Sequence, residues 1–600
     1  MKQTHSFHLP VMGIAFTVDT PVKIAHYGLD SVIFISDDVL LEKLRKFYAE
    51  KFNFPYVEIA KKAYDSRAKR ITAYLNLVKD LAEKNLEELI QTSSEIKKYF
   101  DLLPEASSLK QKFIAFSSKV SNTSELQEWL KKQLKIGDIN VNIMTKLDKQ
   151  NFDKKEALPV EFNDAHAALR GFANSNLESS MVFSAGMNPR LFAYIEKFND
   201  FFPDENGYIK KKIILKVSDY RSALIQGKFL AKKGIWVSEY RIESGLNCGG
   251  HAFATDGYLM GPILEEFKNN KEALITSVTE ILNKALAETN RVVSSKKLPL
   301  KITAQGGVGI TEEQQFLLDY YKVDSVGWGT PFLLVPEVTN VDDATLQKLK
   351  KAKEDDLYLS DASPLGVPFN NIRNSSKFLE KEFDLKNGRL GSACPKKILA
   401  LNPSDDGKTI CTASRKYQEA KYQELKAQKE KLSATEFEKQ FKDLTAKECL
   451  CNGLSTSVMH INELDRKLEK DGVSICPGPN LAYYEKVSTL LDMTNHIYGK
   501  QSVMQRTDRP NMFIKELGLY VDYLKDKLNA SLNIMDKKQE RYFKKFLNNM
   551  EEGIAYYQDL FTQNKQFVSI KKELLNQLGF YSKQLLSLRL ELENILAVVV

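Results

Sequence analysis

The chain has 600 residues, more than one ordinary domain holds, and its 43% hydrophobic and 27% charged residues give a globular rather than a disordered balance. Its 86 basic and 78 acidic residues are mixed along the chain, so the net charge of +8 describes a solvated surface and excludes a nucleic-acid stripe. No run of about 18 uncharged apolar residues exists, which excludes a membrane-spanning helix, and residues 1–10 lack the pattern of a signal peptide, so a cytoplasmic protein is expected.

Short β-branched runs alternate with helix-like segments as far as residue 370. Eight strands are expected, at residues 11–16 (VMGIAF), 31–36, 139–145, 180–185, 212–217, 235–240, 300–305 and 325–332. Most are continuously apolar, as strands buried on both faces are. Strands alternating with helices imply parallel βαβ units, and eight of them imply an α/β fold of the (β/α)₈ barrel type. Residues 37–138 are rich in Lys, Glu, Leu and Ala, with Leu75, Leu77, Leu81, Leu86 and Leu89 in helical rhythm. They read as a helical insertion that caps the site or packs against the C-terminal region. Residues 371–480 carry five of the six cysteines around a charged helix near 415–447. Residues 481–600 read as helices, and the leucines of the last one, 569–599, form a stripe for core packing. The organisation is thus a barrel (1–370), a cysteine-bearing segment (371–480) and a C-terminal helical region (481–600).

The most informative stretch is KITAQGGVGITEEQQFLLDYYKVDSVGWGTPFL, residues 301–333. A strand ends in Gln305; Gly306, Gly307 and Gly309 follow, then a helix opening at Thr311 as N-cap. The next strand ends at Gly327, Gly329 and Thr330. Glycines let backbone N–H groups approach a phosphate, a helix start adds positive dipole, and barrels commonly hold phosphate in the loops after strands seven and eight. One glycine cluster alone would be read as a tight turn. Two at consecutive strand ends favour phosphate.

This strand–GGxG–helix–strand–GT pattern resembles the FMN site of nitronate monooxygenases and of the related enoyl-reductase components of fatty-acid and polyunsaturated-fatty-acid synthases. The resemblance continues after strand six, in Glu243-Ser-Gly-Leu-Asn-Cys-Gly-Gly-His251. It implies bound FMN, with His251 near the flavin ring in proton handling and Gly249 and Gly250 as ring-facing backbone. It also implies that Met12, Gly13 and Ala15 line the ring, with Asn142 on the third strand. It covers most of residues 10–369 outside the insertion. On the residues alone, a histidine at the C-terminal end of a barrel strand stands where catalytic groups stand, and its pKa suits acid–base work. A histidine that merely ties down a loop is the alternative. Residues 244–248 depart from the family pattern and leave the role of Glu243 open. Cys248 is a reactive thiol or a buried filler.

Cys394, Cys411, Cys449, Cys451 and Cys476 are clustered in sequence, and their spacings match no zinc-ribbon or ferredoxin signature. Two Cys-Pro pairs and soft ligands suit an iron–sulfur cluster that could feed a flavin; four thiolates suit zinc; free thiols are the third reading. The expected function is an FMN-dependent oxidoreductase that reduces an enoyl-type double bond of a small-molecule or acyl substrate. NAD(P)H or ferredoxin would be the electron donor, and the protein could be a homo-oligomer. The alternatives are a nitronate monooxygenase-type flavin oxygenase and a non-catalytic barrel scaffold that binds a protein partner.

Overall fold

The computed structural model describes residues 4–119, 122–153, 155–184, 186–404, 407–531 and 535–599, with side chains as far as 596. Ala185, expected to end the fourth strand, lies outside the described residues. Eight strands form one parallel sheet: β1 (Phe7–His8), β2 (Ser31–Phe34), β3 (Ile139–Met144), β4 (Ser180–Ser184), β5 (Lys212–Val217), β6 (Val237–Glu243), β7 (Lys301–Gln305) and β8 (Ser325–Gly327). Their order is β1-β8-β7-β6-β5-β4-β3-β2. Leu9, just beyond β1, bridges Ser31 through Leu9 N–H to Asp30 O at 2.9 Å and Val32 N–H to Leu9 O at 3.0 Å. That bridge brings the two ends of the sheet together, giving the α/β barrel.

The first strand is not residues 11–16. Their apolar character comes from lining a cavity, not from pairing in a sheet. Gly13 turns the chain at φ 54°, Met12 N–H donates to Thr17 Oγ1 at 3.1 Å, and that hydroxyl donates to Val32 O at 3.0 Å. The segment therefore folds back over the C-terminal mouth of the barrel. The sixth strand also starts later than expected and runs on to Glu243, and the eighth stops at Gly327.

Alternate strand residues fill the barrel. Val32, Val182 and Ile214 make an apolar layer. Glu239, Arg241 and Thr303 make a polar one, in which Arg241 Nε meets Glu239 Oε1 at 2.8 Å and Thr303 Oγ1 donates to the same oxygen at 2.5 Å. A buried charge pair is tolerated only when its remaining hydrogen-bonding capacity is filled in this way.

Residues 37–138 do contain helices, but the longest is part of the outer ring, not a cap. Helix α1 (Asp38–Phe52) leads to α2 (Ser66–Gln91), which buries Ile71, Leu75, Val78 and Leu81. It lies against α3 (Asp164–Ala173), where Thr72 Oγ1 donates to Gly171 O at 2.8 Å; Tyr74 OH reaches Val18 O at 2.9 Å. The absence of a side chain at Gly171 lets Ile71 pack against the α3 backbone. Near α1 the stretch touches the cysteine-bearing segment, Lys43 donating to Asp465 O and Lys396 pairing with Asp37, and at residues 101–105 it touches the C-terminal region, Lys500 Nζ donating to Leu103 O at 3.2 Å and pairing with Glu105 at 2.8 Å.

The chain continues through α4 (Met260–Glu288), α5 (Thr311–Asp319), α6 (Leu450–Ile461), α7 (Met512–Ser531), α8 (Lys537–Gln563) and α9 (Lys571–Val599). Leu574, Leu578, Leu585, Leu588 and Leu592 of α9 are buried, as the leucine stripe requires. One continuous hydrophobic core runs from Phe7 to Leu592. Among the described residues no helix is long and apolar enough to cross a membrane.

Candidate active site

The C-terminal ends of the strands open into a cavity of ≈ 420 Å³, within the usual range for small-molecule sites. Met12, Gly13, Asn142, Gly249, Gly250, His251, Gly306, Gly307, Gly327, Gly329 and Thr330 all line it. Ala15 and Gly309 do not. Ala15 is packed behind the wall, its carbonyl accepting from Asn340 at 3.2 Å. Gly309 faces away: its N–H goes to Glu313 at 2.9 Å, and its carbonyl accepts from Tyr484 OH at 2.8 Å and meets His496 Nε2 at 2.9 Å.

The expected phosphate loop is thus partly claimed by the protein itself. Thr311 does not cap α5. Its hydroxyl donates to His496 O, and the N-cap position is Ile310 with no side-chain bond. Glu313, inside the first turn, accepts from Gly309 N–H and Met512 N–H and forms a buried pair with Arg509 at 2.8 Å. Arg509 and Asn480 each donate to Gly307 O at 2.5 Å. The N–H groups of Gly306, Gly307 and Val308 take no acceptor among the described residues. These three donors, not the helix N-terminus, are what the loop offers an anion.

The floor of the cavity is the last inward layer of the barrel. Lys216 Nζ pairs with Glu243 Oε2 at 2.7 Å, and Gln305 Nε2 donates to Glu243 Oε1 at 2.6 Å. Glu243, left without a role by the sequence, therefore anchors a cation and an amide at the floor. Lys216, Gln305 and Asn247 were not singled out by sequence reasoning. The signal available was their position: each follows the alternate inward register at a strand's C-terminal end or the loop after it. Asn142, a cavity-lining residue, keeps its Oδ1 buried without a partner among the described residues, whereas Gln305, its Nε2 held by Glu243, turns its other side to the buried His8 ring.

His251 is held from two sides. Its backbone bridges Phe369, and Asn370 N–H donates to Gly250 O at 2.9 Å, so the hairpin Leu357–Ser360/Phe369–Ile372 fixes the loop. Its Nε2 lies 2.7 Å from Ser363 Oγ, and its ring meets Phe369 edge-on at 5.0 Å. Burial pushes its pKa down to about 4, so the imidazole is neutral near pH 7.

The other wall comes from the cysteine-bearing segment: Ile398, Leu399, Leu450, Leu454, Ile475 and Cys476. Cys476 O accepts from Gly250 N–H at 3.2 Å and Gly478 N–H donates to Thr330 Oγ1 at 3.0 Å, so residues 476–480 form a strap between two glycine loops. The five thiols expected to share one metal site are separated by this arrangement. Cys476 lines the cavity, whereas Cys394 faces Cys411 and Cys449, with Cys451 next to them. Among the described residues no group of three or more His, Cys, Asp or Glu could hold a metal ion. A hydrogen bond with Cys411, then burial, raises Cys394 to about 12; burial raises Cys476 to about 12 and Cys248 well above its ordinary value, so these three stay protonated.

No protein-family profile matches the chain, and no curated protein matches it. Among solved structures, it is similar to the enoyl reductase domain of MlnA from the macrolactin biosynthesis cluster of Bacillus amyloliquefaciens. The identity is 11% and the TM-score 0.38, over 88% of this chain and 97% of that one.

Proposed function

We propose that this chain is an FMN-dependent oxidoreductase that reduces an activated, enoyl-type double bond at the C-terminal face of its barrel. The observation that carries the proposal is the convergence on one cavity of unspent donors and acceptors. Three free N–H groups (Gly306, Gly307, Val308) suit a phosphate, and Asn142 Oδ1 suits an N–H on the edge of a polar ring. A flavin bound there would supply hydride transfer.

The chain's own residues do the rest. Lys216, oriented by Glu243, stabilises negative charge at the floor. Neutral His251, held by Ser363 and Phe369, polarises a carbonyl by donating a hydrogen bond or accepts a proton; it is not charged enough near pH 7 to act first as an acid. The apolar wall from residues 398–475 keeps water out and suits an acyl chain. The neutral imidazole also favours a second reading, in which His251 is a base that removes a carbon-bound proton, as in a nitronate monooxygenase-type oxygenase.

Freshly purified protein should show flavin absorbance. Under anaerobic conditions it should oxidise NAD(P)H or reduced ferredoxin only with an enoyl thioester present. Turnover that needs O₂ and no reductant would select the second reading. Colourless protein that binds no added FMN would overturn both and leave a scaffold.

A further inference from the structure

Residues 244–248 are the part of the Gly-Gly-His loop that departs from the family pattern, and the C-terminal helices are the part of the chain that the pattern does not cover. The structure joins the two at one carboxyl. Glu516 of α7 is 2% exposed. Its Oε1 accepts from Ser244 Oγ at 2.5 Å, and its Oε2 accepts from Met260 N–H at 2.9 Å and Tyr557 OH at 3.4 Å. Ser244 Oγ in turn accepts from Asn247 N–H at 3.2 Å, and Asn247 Nδ2 donates to Met512 O at 3.2 Å. Every group on Glu516 can donate, which is what a carboxylate needs.

We propose that Glu516 is the positioning residue for the loop 244–251, so that the C-terminal helices are a working part of the active site. The carboxylate gives the chain of bonds one direction, from Asn247 N–H through Ser244 O–H to Glu516. It ties the loop that carries Gly249, Gly250 and His251 to the start of α4 and to α8. The proposal rests on the active site being at that loop, but not on which reaction occurs there.

No cation offsets the charge among the described residues. The groups facing it are Cys248 on the loop, the backbone N–H at the start of α4, Tyr557 on α8 and Tyr520 on its own helix. Burial accordingly lifts its pKa to about 7, so the bond network changes form near neutrality.

The test is hydrogen–deuterium exchange of the peptide spanning 244–251 in full-length protein from pH 6 to 8.5, corrected for intrinsic exchange. Wild-type protection should change with a midpoint near 7. Glu516→Gln should keep the loop protected but remove that pH dependence. Glu516→Ala and Ser244→Ala should each speed exchange there about tenfold, as expected from losing one strong buried hydrogen bond, while α2 peptides stay unchanged. Equal loosening everywhere, or a loop whose exchange ignores all three variants, would overturn the proposal. If Glu516→Ala does not fold, the Ser244→Ala and Glu516→Gln results decide alone. Exchange is read without turnover, so a protein that binds no flavin could still show the Glu516 effect, and an active one could lack it.

Discussion

Gly250 and Gly307 share a left-handed backbone, at φ 81° and 85°, but not their surroundings. A Cβ at Gly307 would land on the Asn247 amide, whereas one at Gly250 would meet nothing within 4 Å and would project into open space. Gly307→Ala should therefore cost at least ~2 kcal/mol of stability, from backbone strain plus displacement of Asn247. Gly250→Ala should cost only ~1 kcal/mol yet weaken flavin binding, because its methyl group enters the cavity. Urea denaturation and a flavin titration separate the two; equal stability losses would refute the distinction. The charged floor makes a second residue-scale case. Lys216→Met leaves Glu243 with Gln305 and the Cys248 thiol, and since both charges are partly solvated the cost should be about 1–3 kcal/mol, below that for a fully buried pair. Turnover should fall more than stability does. In the base reading, His251→Ala should retain flavin and lose turnover, and wild-type activity should fall only as the pH drops towards 4. An activity loss centred near 6.5 would mean that the imidazole is not shielded as the structure places it.

At the scale of elements, the strap and the Arg509–Glu313 pair set the shape of the ligand loop. Arg509 and Glu313 have side chains only 4% and 3% exposed, so removing one partner leaves the other charge buried. Arg509→Met should cost about 3–5 kcal/mol and leave Gly307 O held by Asn480 alone, with weaker FMN retention; unchanged urea midpoints would show the pair to be dispensable. These elements also mark what could be read in the sequence. The strands β2 to β5 and β7 were legible because both their faces are buried and their runs stay apolar. The first strand was not: Phe7–His8 is two residues long in a polar stretch, and the stronger run at 11–16 is apolar because it lines a cavity. The glycines and His251 were legible because backbone conformation and strand-end position leave local marks. Arg509, Asn480, Glu516 and the Leu450–Leu454 wall leave none, because their partners lie in distant parts of the chain. Nearness in sequence likewise says nothing of where a strap carries Cys476, away from the other four clustered thiols and into the cavity wall.

Across the whole molecule, burial of histidines makes folding pH-dependent in a direction that can be worked out. His5, His26 and His251 are each held to about 4 by burial, and His8 and His496 are also lowered. Each is neutral in the fold but binds a proton in the unfolded chain below about 6.5. The unfolded state therefore takes up more protons as pH falls, and stability drops between 6.5 and 4, by roughly 1–3 kcal/mol per fully shielded histidine. Glu516 works the other way: with its pKa raised to about 7, the fold binds its proton before the unfolded chain does, so acidification from 7 towards 4.5 adds stability. Burial raises Glu448, Asp80, Glu266 and Asp522 as well, in the same sense as Glu516, but the five lowered histidines outweigh them above the range where ordinary carboxylates protonate, and the urea midpoint should fall from pH 7 to pH 5. Because one core joins barrel and C-terminal helices, the loss should appear as a single transition seen equally by tryptophan fluorescence and helical circular dichroism. Glu516→Gln removes one opposing contribution, so its midpoint should fall more steeply over the same range. A variant slope equal to the wild-type slope would show that Glu516 exchanges no proton with solvent near neutrality, and a midpoint that rises towards pH 5 would show that the histidines are not shielded.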